Sequence, residues 1–294
     1  MSTSKTSAST GDCPSALTEA AQSDLTAKAG STLRVVREWA DALVFAFILA
    51  MFIRTFCVEL FKIPSGSMSP TLLGDIVAEG PAVDSSGDTH QFLIIANPRD
   101  HESVQVFRRA SDNHYENLGR SYLSLLTGSQ RDLLRSKGHR EEHRILVNKF
   151  AYWFSKPERG DIVIFRVPFG TETDSYVRDG HPFNVPVYNR DMSVYVKRCV
   201  ANEGERVSIG QDGHLLIDGQ PVETPSIFSR IRRYKPAPAN APFDLTVQPG
   251  ELFVFGDNTD NSLDSRYWDG VPYANLRGKA FMRYMPLKKM GFLD

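Results

Sequence analysis

The chain has 294 residues, with 34 basic and 35 acidic side chains, a net charge of −1 and 41% hydrophobic residues. That balance supplies apolar material for one or two cores and leaves no basic surplus, so it gives no reason to invoke nucleic acid as a partner. Three cysteines, Cys13, Cys57 and Cys199, are too few and too scattered for a disulfide framework or a cysteine-based zinc site.

Met1 to about Gly30 is rich in Ser, Thr and Ala and lacks a sustained apolar period, which predicts a mobile tail. Ala42 to Ile53 follows as an uninterrupted apolar run. It is shorter than the roughly 20 residues that span a bilayer. Trp39 to Val58 reaches that length only by including Asp41 and Arg54, whose places near opposite ends let both reach headgroups. Hydropathy alone leaves a buried core helix and a membrane anchor both open. A removable signal peptide fits less well, because the tail is long and no small-residue cleavage site follows. Lys28, Arg34 and Arg37 outweigh Arg54 and Lys62 modestly, which puts the N-terminal side in the cytoplasm by the positive-inside rule.

Next comes Pro64-Ser65-Gly66-Ser67-Met68-Ser69-Pro70-Thr71. Prolines on both sides limit the backbone and the glycine opens conformations closed to other residues, so a serine hydroxyl can be held at a fixed, exposed turn. An ordinary Ser/Gly/Pro loop has the same composition, so the segment says little alone. The stretch Val77 to Ile145 reads as an inserted α+β subdomain. Within it, Phe92 to Ala96 and Val104 to Phe107 predict strands, while Tyr115, Leu118, Tyr122 and Leu125 have helical spacing. Five of the seven histidines (His90, His101, His114, His139, His143) fall there and none adjoins the serine segment, so no triad histidine is evident.

Strands are then expected at Ile145 to Phe154, Asp161 to Val167, Ser193 to Val200, His214 to Asp218 and Glu251 to Phe255. Asp218-Gly219 between Ile217 and Val222 signals a hairpin. These elements predict a mainly β, antiparallel domain. Alternation along Tyr195-Val196-Lys197-Arg198-Cys199-Val200 sets Tyr195, Lys197 and Cys199 on one face. A serine nucleophile needs a base. Lys197 becomes one if burial lowers its pKa, whereas a solvated edge-strand lysine does not. Cys199 reads as a buried strand cysteine.

Read together, the serine segment, Arg159-Gly160-Asp161-Ile162-Val163-Ile164-Phe165, Tyr195-Val196-Lys197-Arg198 and Gly256-Asp257-Asn258-Thr259-Asp260-Asn261-Ser262-Leu263-Asp264-Ser265-Arg266 resemble, in order, the boxes of type I signal peptidases, the serine-lysine leader peptidases. The resemblance runs from about Trp39 onward, through Tyr267 to Pro272, apart from the insertion. It implies Ser67 as nucleophile and Lys197 as general base. Ser65 would add an oxyanion-hole hydroxyl beside the Ser67 N–H, Ser262 would hydrogen-bond the Lys197 amine, and Asp264 and Arg266 would form a supporting ion pair. Phe61, Ile63, Leu72, Tyr195 and Val196 match positions that line the substrate pockets for small side chains, although each is also a typical core residue.

The implied organisation is a cytoplasmic tail (1–33), a transmembrane anchor (34–60) and an extracytoplasmic catalytic domain (61–294) interrupted by the insertion at 77–145. Partners would be the signal peptides of exported preproteins and the lipid bilayer, with no cofactor and no metal. Two departures stand out. Ala201-Asn202-Glu203-Gly204-Glu205 replaces the family's Gly-x-Pro-Gly-Asp, and Thr259 replaces a frequent arginine. Both put loop geometry in doubt more than chemistry.

Other readings compete. His139-Arg140-Glu141-Glu142-His143 matches the H-x-x-E-H pattern in which a helix sets two histidines one turn apart on zinc, although its neighbours Arg135, Lys137, Arg140 and Arg144 suit a solvated charged face. A membrane-anchored binding protein on a peptidase scaffold is a second alternative. Self-cleaving repressors of serine-lysine chemistry are a third, but they would carry a DNA-binding domain where this chain has a tail and an apolar helix.

Overall fold

The computed structural model describes residues 15–97, 103–111, 114–167, 174–178, 181–185, 194–230, 234 and 243–293, with backbone alone described for 15–33, 111, 114, 174–178, 181–185, 229 and 230. The chain divides into two units, Met1–Thr55 and Phe56–Asp294. In the first, helix α1 (Ser15–Phe52) starts well inside the stretch expected to be tail. Ala is frequent there, with Leu, Glu, Gln and Lys among the others, and such residues favour helix even without an apolar stripe. Residues 1–14 of the expected tail lie outside the described residues.

A π turn, Ile53–Cys57, follows α1. The 24 residues Arg34–Cys57 are long and apolar enough to cross a membrane, and none of that stretch is buried. Of the expected segment 34–60, residues 58–60 belong to a strand.

The second unit is mainly antiparallel β. Its strands in order are β1 (Val58–Lys62), β2 (Ile76–Val83), β3 (Thr89–Ala96), β4 (Ser103–Ser111), β5 (His114–Tyr122), β6 (His139–Arg140), β7 (Arg144–Asn148), β8 (Ile162–Arg166), β9 (Asp174–Arg178) and β10 (His181–Val185). There follow β11 (Val194–Asn202), β12 (Arg206–Ile209), β13 (Leu215–Ile217), β14 (Gln220–Pro221), β15 (Asp244–Thr246), β16 (Glu251–Phe255), β17 (Val271–Pro272), β18 (Leu276–Met285) and β19 (Gly291–Phe292). The main sheet runs β1-β7-β18-β8-β11-β16-β17, with β19 added beside β18. Its central strand β8 is buried on both faces: Ile162 and Ile164 enter one core with Ile63, Met68, Ile145 and Val147, while Val163 and Phe165 enter another with Cys199, Val254 and Trp268.

The sheet curls. In a flat sheet β1 and β11 would be four strand spacings apart, about 19 Å. Instead Ile63, the residue after β1, shares a core with Val196 of β11.

Most expected strands appear, with shifted ends. The strand expected over Ile145 to Phe154 stops at Asn148, where the Asn148 side chain accepts the Phe150 N–H (2.9 Å) and turns the chain. Asp218 and Gly219 take positive φ of 52° and 78°, and Ile217 pairs with Gln220, as a tight hairpin requires.

The insertion is a sheet in the order β5-β4-β3-β2-β6 with helix α2 (Gly128–Lys137) against one face. Phe92, Ile94, Val104, Val106 and Leu133 form the core on that side, and Leu93, Ile95 and Phe107 pack with Leu73 on the other. Tyr115, Leu118 and Tyr122 do not lie on a helix; they belong to β5, and Leu125 to the 3₁₀ turn after it. Register shifts between Gln105/Phe107 and between Arg109/Ser111 break the alternation with β4, which removes the period-two signal of a strand.

Thr127 caps α2: its Oγ1 accepts the Gln130 N–H (3.2 Å) and donates to the Val83 carbonyl (2.7 Å), while Gln130 Oε1 accepts the Thr127 N–H (3.0 Å). Thr127→Ala is expected to destabilise the insertion by about 1–2 kcal/mol, read as a lower denaturation midpoint in the detergent-solubilised protein.

Candidate active site

The serine segment leaves β1 and is fixed at both ends. The Ile63 N–H donates to the His143 carbonyl (2.9 Å), and Gly66–Met68 form a 3₁₀ turn closed by Ser69 N–H to Gly66 O (3.0 Å). Gly66 is required for space, because a Cβ there would strike the Asp75 carboxylate. Met68, 1% exposed, anchors the turn in the core beneath it.

The lysine arrives on β11 and the third segment on β16. Arg198 pairs in register with Phe255, so the residues after β16, from Gly256 on, are delivered beside Lys197. Lys197 Nζ lies 2.7 Å from Ser67 Oγ and 5.4 Å from the centre of the Tyr195 ring. Its residue is 3% exposed. Burial is the main influence on the amine and lowers its pKa to about 8, against the opposing pull of Asp264 and Asp257.

Two buried ion pairs frame this contact between Ser67 and Lys197. Arg198 donates to both Asp257 oxygens (2.9 and 2.8 Å) and to the Gly160 carbonyl (2.6 Å). Thr71 Oγ1 donates to the same Asp257 (2.5 Å), tying the serine segment to the pair. Arg266 donates to both Asp264 oxygens (2.8 and 2.9 Å) and to the Thr259 carbonyl (2.9 Å). Asp264 also accepts the Gly256 N–H (2.9 Å). Burial pushes the Asp264 carboxyl up, but Arg266 outweighs it and holds the pKa below the usual range.

Ser262 is placed differently from the expectation. It is buried beside Asp264, whose carboxyl it helps hold low, and its Oγ makes no hydrogen bond to Lys197. Gly256 and the Ser67 carbonyl close round the hydroxyl, as the contacts a Cβ on Gly256 would make demonstrate. Ser65 is exposed and lines the cleft beside Ser67.

The cleft holds about 400 Å³ and is lined by Phe61, Ile63, Tyr195 and Val196 among the expected residues. Leu72 is not among them: it is 0% exposed and packs in the core below the serine turn. Met68, Asn97, Val194, Asn261 and Leu263 also line the cleft. Asn97 comes from the insertion, and its position carried no sequence signal because the approach is made only through tertiary packing.

The zinc alternative loses its geometry. His139–Arg140 is strand β6 and His143 directly precedes β7, so no helix sets the two histidines one turn apart. His143 Nδ1 accepts the Leu73 N–H (3.1 Å) and its Nε2–H donates to Glu141 (2.8 Å), which also accepts from Lys289 (2.9 Å). Both ring nitrogens are therefore in use. Asp84, Asp88 and His90 bring ligand atoms within 4.8 Å of one another at the β2–β3 turn, but Asp84 Oδ1 accepts the Ser86 and Asp88 N–H groups, which accounts for the grouping as a turn.

Residues 36–111 and 135–285 match the family described as signal peptidase, peptidase S26. The chain belongs to that family. Signal peptidase I of Leptolyngbya laminosa is 33% identical over 150 residues, 51% of this chain and 64% of that protein. Signal peptidase I of Buchnera aphidicola from Schizaphis graminum is 29% identical over 257 residues, 83% of this chain and 73% of that protein. Thylakoidal processing peptidase 1 of Arabidopsis thaliana is 33% identical over 147 residues, 50% of this chain and 38% of that protein. The chain thus spans less than two thirds, 64%, of the first of these relatives. The family match runs into the insertion and leaves out only 112–134 between its two parts.

Two outcomes follow from this geometry. A Cβ on Gly256 would lie 2.5 Å from the Ser67 backbone oxygen, so Gly256→Ala is expected to displace the serine turn and to cost roughly 1–3 kcal/mol of stability; unfolding curves and a cleavage assay would read both effects. The second concerns pH. Lys197 has a folded pKa of about 8 against 10.5 for an exposed lysine amine, so between these values the unfolded chain binds the proton more readily. Its contribution to stability is therefore present above about 10.5, is lost as pH falls toward 8 and is constant below. At about 1.4 kcal/mol for each pH unit between them the total is roughly 3.5 kcal/mol. It should appear as the difference between wild type and Lys197→Met in unfolding free energy across that range.

Proposed function

We propose that this protein is a membrane-anchored serine endopeptidase that removes signal peptides from exported preproteins. The observation that carries the reading is the 2.7 Å approach of Lys197 Nζ to Ser67 Oγ, in a site that lowers the amine pKa to about 8. In its neutral form Lys197 takes the Ser67 proton as Oγ attacks the scissile carbonyl. The Ser67 N–H and the Ser65 hydroxyl stabilise the oxyanion. The Lys197 ammonium then donates to the leaving amine, and Lys197 activates the water that hydrolyses the ester.

Substrate pairing is supported by strand edges. β1 ends the main sheet, and Val194–Lys197 pair with β8 on one side while β16 joins only from Arg198. An extended peptide can hydrogen-bond to such an edge. Phe61, Ile63, Tyr195 and Val196 then limit the side chains next to the cut to small ones. Ser262 acts through Asp264 and the packing around Gly256. Arg34–Cys57 crosses the cell membrane once, with the N-terminus cytoplasmic and the catalytic unit outside. That placement meets preproteins where their cleavage sites emerge.

Ser67→Ala and Lys197→Ala should each abolish preprotein cleavage in a folded protein, and the double variant should be little worse than either, because the two groups serve one proton transfer. Substantial activity in Lys197→Ala would assign the base elsewhere. In the wild type, kcat/KM should rise with pH through about 8 as the Lys197 ammonium loses its proton. Cleavage should persist in excess chelator; loss on chelation with recovery on adding zinc would replace the serine-lysine reading by a metal-dependent one.

A further inference from the structure

The insertion reaches the serine segment through a buried side chain on β4. Gln105, on β4, is 5% exposed and Asn258 is 0% exposed. Their amides pair reciprocally: Gln105 Nε2 donates to Asn258 Oδ1 (2.8 Å), and Asn258 Nδ2 donates back to Gln105 Oε1. Asn258 Nδ2 also donates to the Gly66 carbonyl (2.8 Å), and the Asn258 N–H donates to the Ser67 carbonyl (3.1 Å). Asn258 therefore holds both peptide groups that flank the Ser67 Cα.

Peptide planarity gives these contacts a consequence for chemistry. The Gly66 C=O and the Ser67 N–H belong to one rigid plane and point in opposite directions, so fixing the oxygen aims the N–H. The Ser67 N–H is the backbone donor of the proposed oxyanion hole, where a misplaced donor costs rate without affecting substrate affinity. A second contact ties the same two segments: Asn117 Nδ2 on β5 donates to Asp260 Oδ2 (3.2 Å).

We propose that Gln105 is a positioning residue, through which the inserted sheet locks the Asn258 amide and so aims the Ser67 N–H at the developing oxyanion. The inference rests on the serine-lysine reading. It gives the insertion a role at the reaction centre without contact to the substrate.

The test is Gln105→Met, which keeps the length and unbranched shape of the side chain and removes both hydrogen bonds. The full chain in detergent is assayed on a preprotein, with rates referred to the folded fraction from near-ultraviolet circular dichroism. The expected result is a fall in kcat of roughly 10- to 100-fold, with KM within about twofold and the Lys197 limb of the pH profile unmoved. Gln105→Glu keeps an acceptor for Asn258 Nδ2 but loses the donor, and should fall between wild type and Gln105→Met. It decides the matter if Gln105→Met does not fold, since a wild-type kcat in Gln105→Glu would then overturn the proposal. A wild-type kcat in folded Gln105→Met, or an effect confined to KM, overturns the positioning role and leaves the serine-lysine reading intact provided Ser67→Ala is inactive. Activity in Ser67→Ala would overturn both.

Discussion

Lys197 is 3% exposed, and an ammonium group buried that deeply loses hydration that the nearest carboxylates do not restore, because each is already committed to an arginine. Asp257 is held by two Arg198 hydrogen bonds and Asp264 by two from Arg266. Their attraction for the amine is offset further by the Arg266 charge, so desolvation wins and the pKa falls to about 8. The neutral amine that the proposed mechanism needs is thus produced by withholding partners from the lysine. An unpaired aspartate in the same place would hold the ammonium form and remove the base.

The two ion pairs matter more for geometry than for net stability. Taking an arginine and an aspartate out of water costs about as much as their attraction returns, whereas removing one partner leaves a buried charge and costs roughly 3–5 kcal/mol. Arg198–Asp257 joins β11 to the segment after β16, and through Gly160 and Thr71 to the turn before β8 and to the serine segment. Arg266–Asp264 closes the loop from Gly256 to Arg266 on itself through Gly256 and Thr259. Four separate stretches of chain are held in one register by groups whose donors and acceptors have specific directions, which apolar packing alone cannot supply. The departures from the family pattern lie outside this frame in one case and within it in the other: Glu205 receives Arg159 at the turn after β11, while Thr259 offers Arg266 its backbone carbonyl, which any residue provides.

The insertion combines a self-contained core with a polar approach to the centre. Its α2 face is apolar and closed by a capped helix; its other face meets Leu73, and its strands β4 and β5 reach Asn258 and Asp260. Polar contacts of this kind are directional and set distance, while the apolar face sets affinity between the two parts. The same distinction explains His143, which lies in a segment rich in exposed charge yet is buried. Its ring accepts the Leu73 N–H and donates a hydrogen bond to Glu141, whose own burial penalty is outweighed by His143 and Lys289 so that its pKa falls to about 2.

Local chemistry made several parts legible in the sequence. The apolar run Ile162–Phe165 reads as a strand because it is buried on both faces, Asp218-Gly219 as a hairpin because a two-residue turn needs positive φ, and the alternation along β11 as a lysine sharing a face with Tyr195 because side-chain period follows from the backbone. The serine and lysine were visible as residue types in familiar surroundings. Other features were hidden by non-local causes: β5 lost its alternation to bulges, Leu118 and Tyr122 are apolar but exposed, and α1 began in a segment with propensity but no apolar stripe. Leu72 and Ser262 show the same limit, since one packs beneath the cleft and the other is buried without a hydrogen bond to Lys197, and a motif fixes neither placement. The sequence by itself determined most strands, the apolar helix and the candidate reactive groups, all of which depend on neighbours a few residues away. Only the tertiary structure decided that Lys197 is dry, that its carboxylate neighbours are occupied and that Gln105 meets Asn258 across 153 positions of chain, because burial and hydrogen-bond direction arise when the sheet curls and brings distant segments into contact.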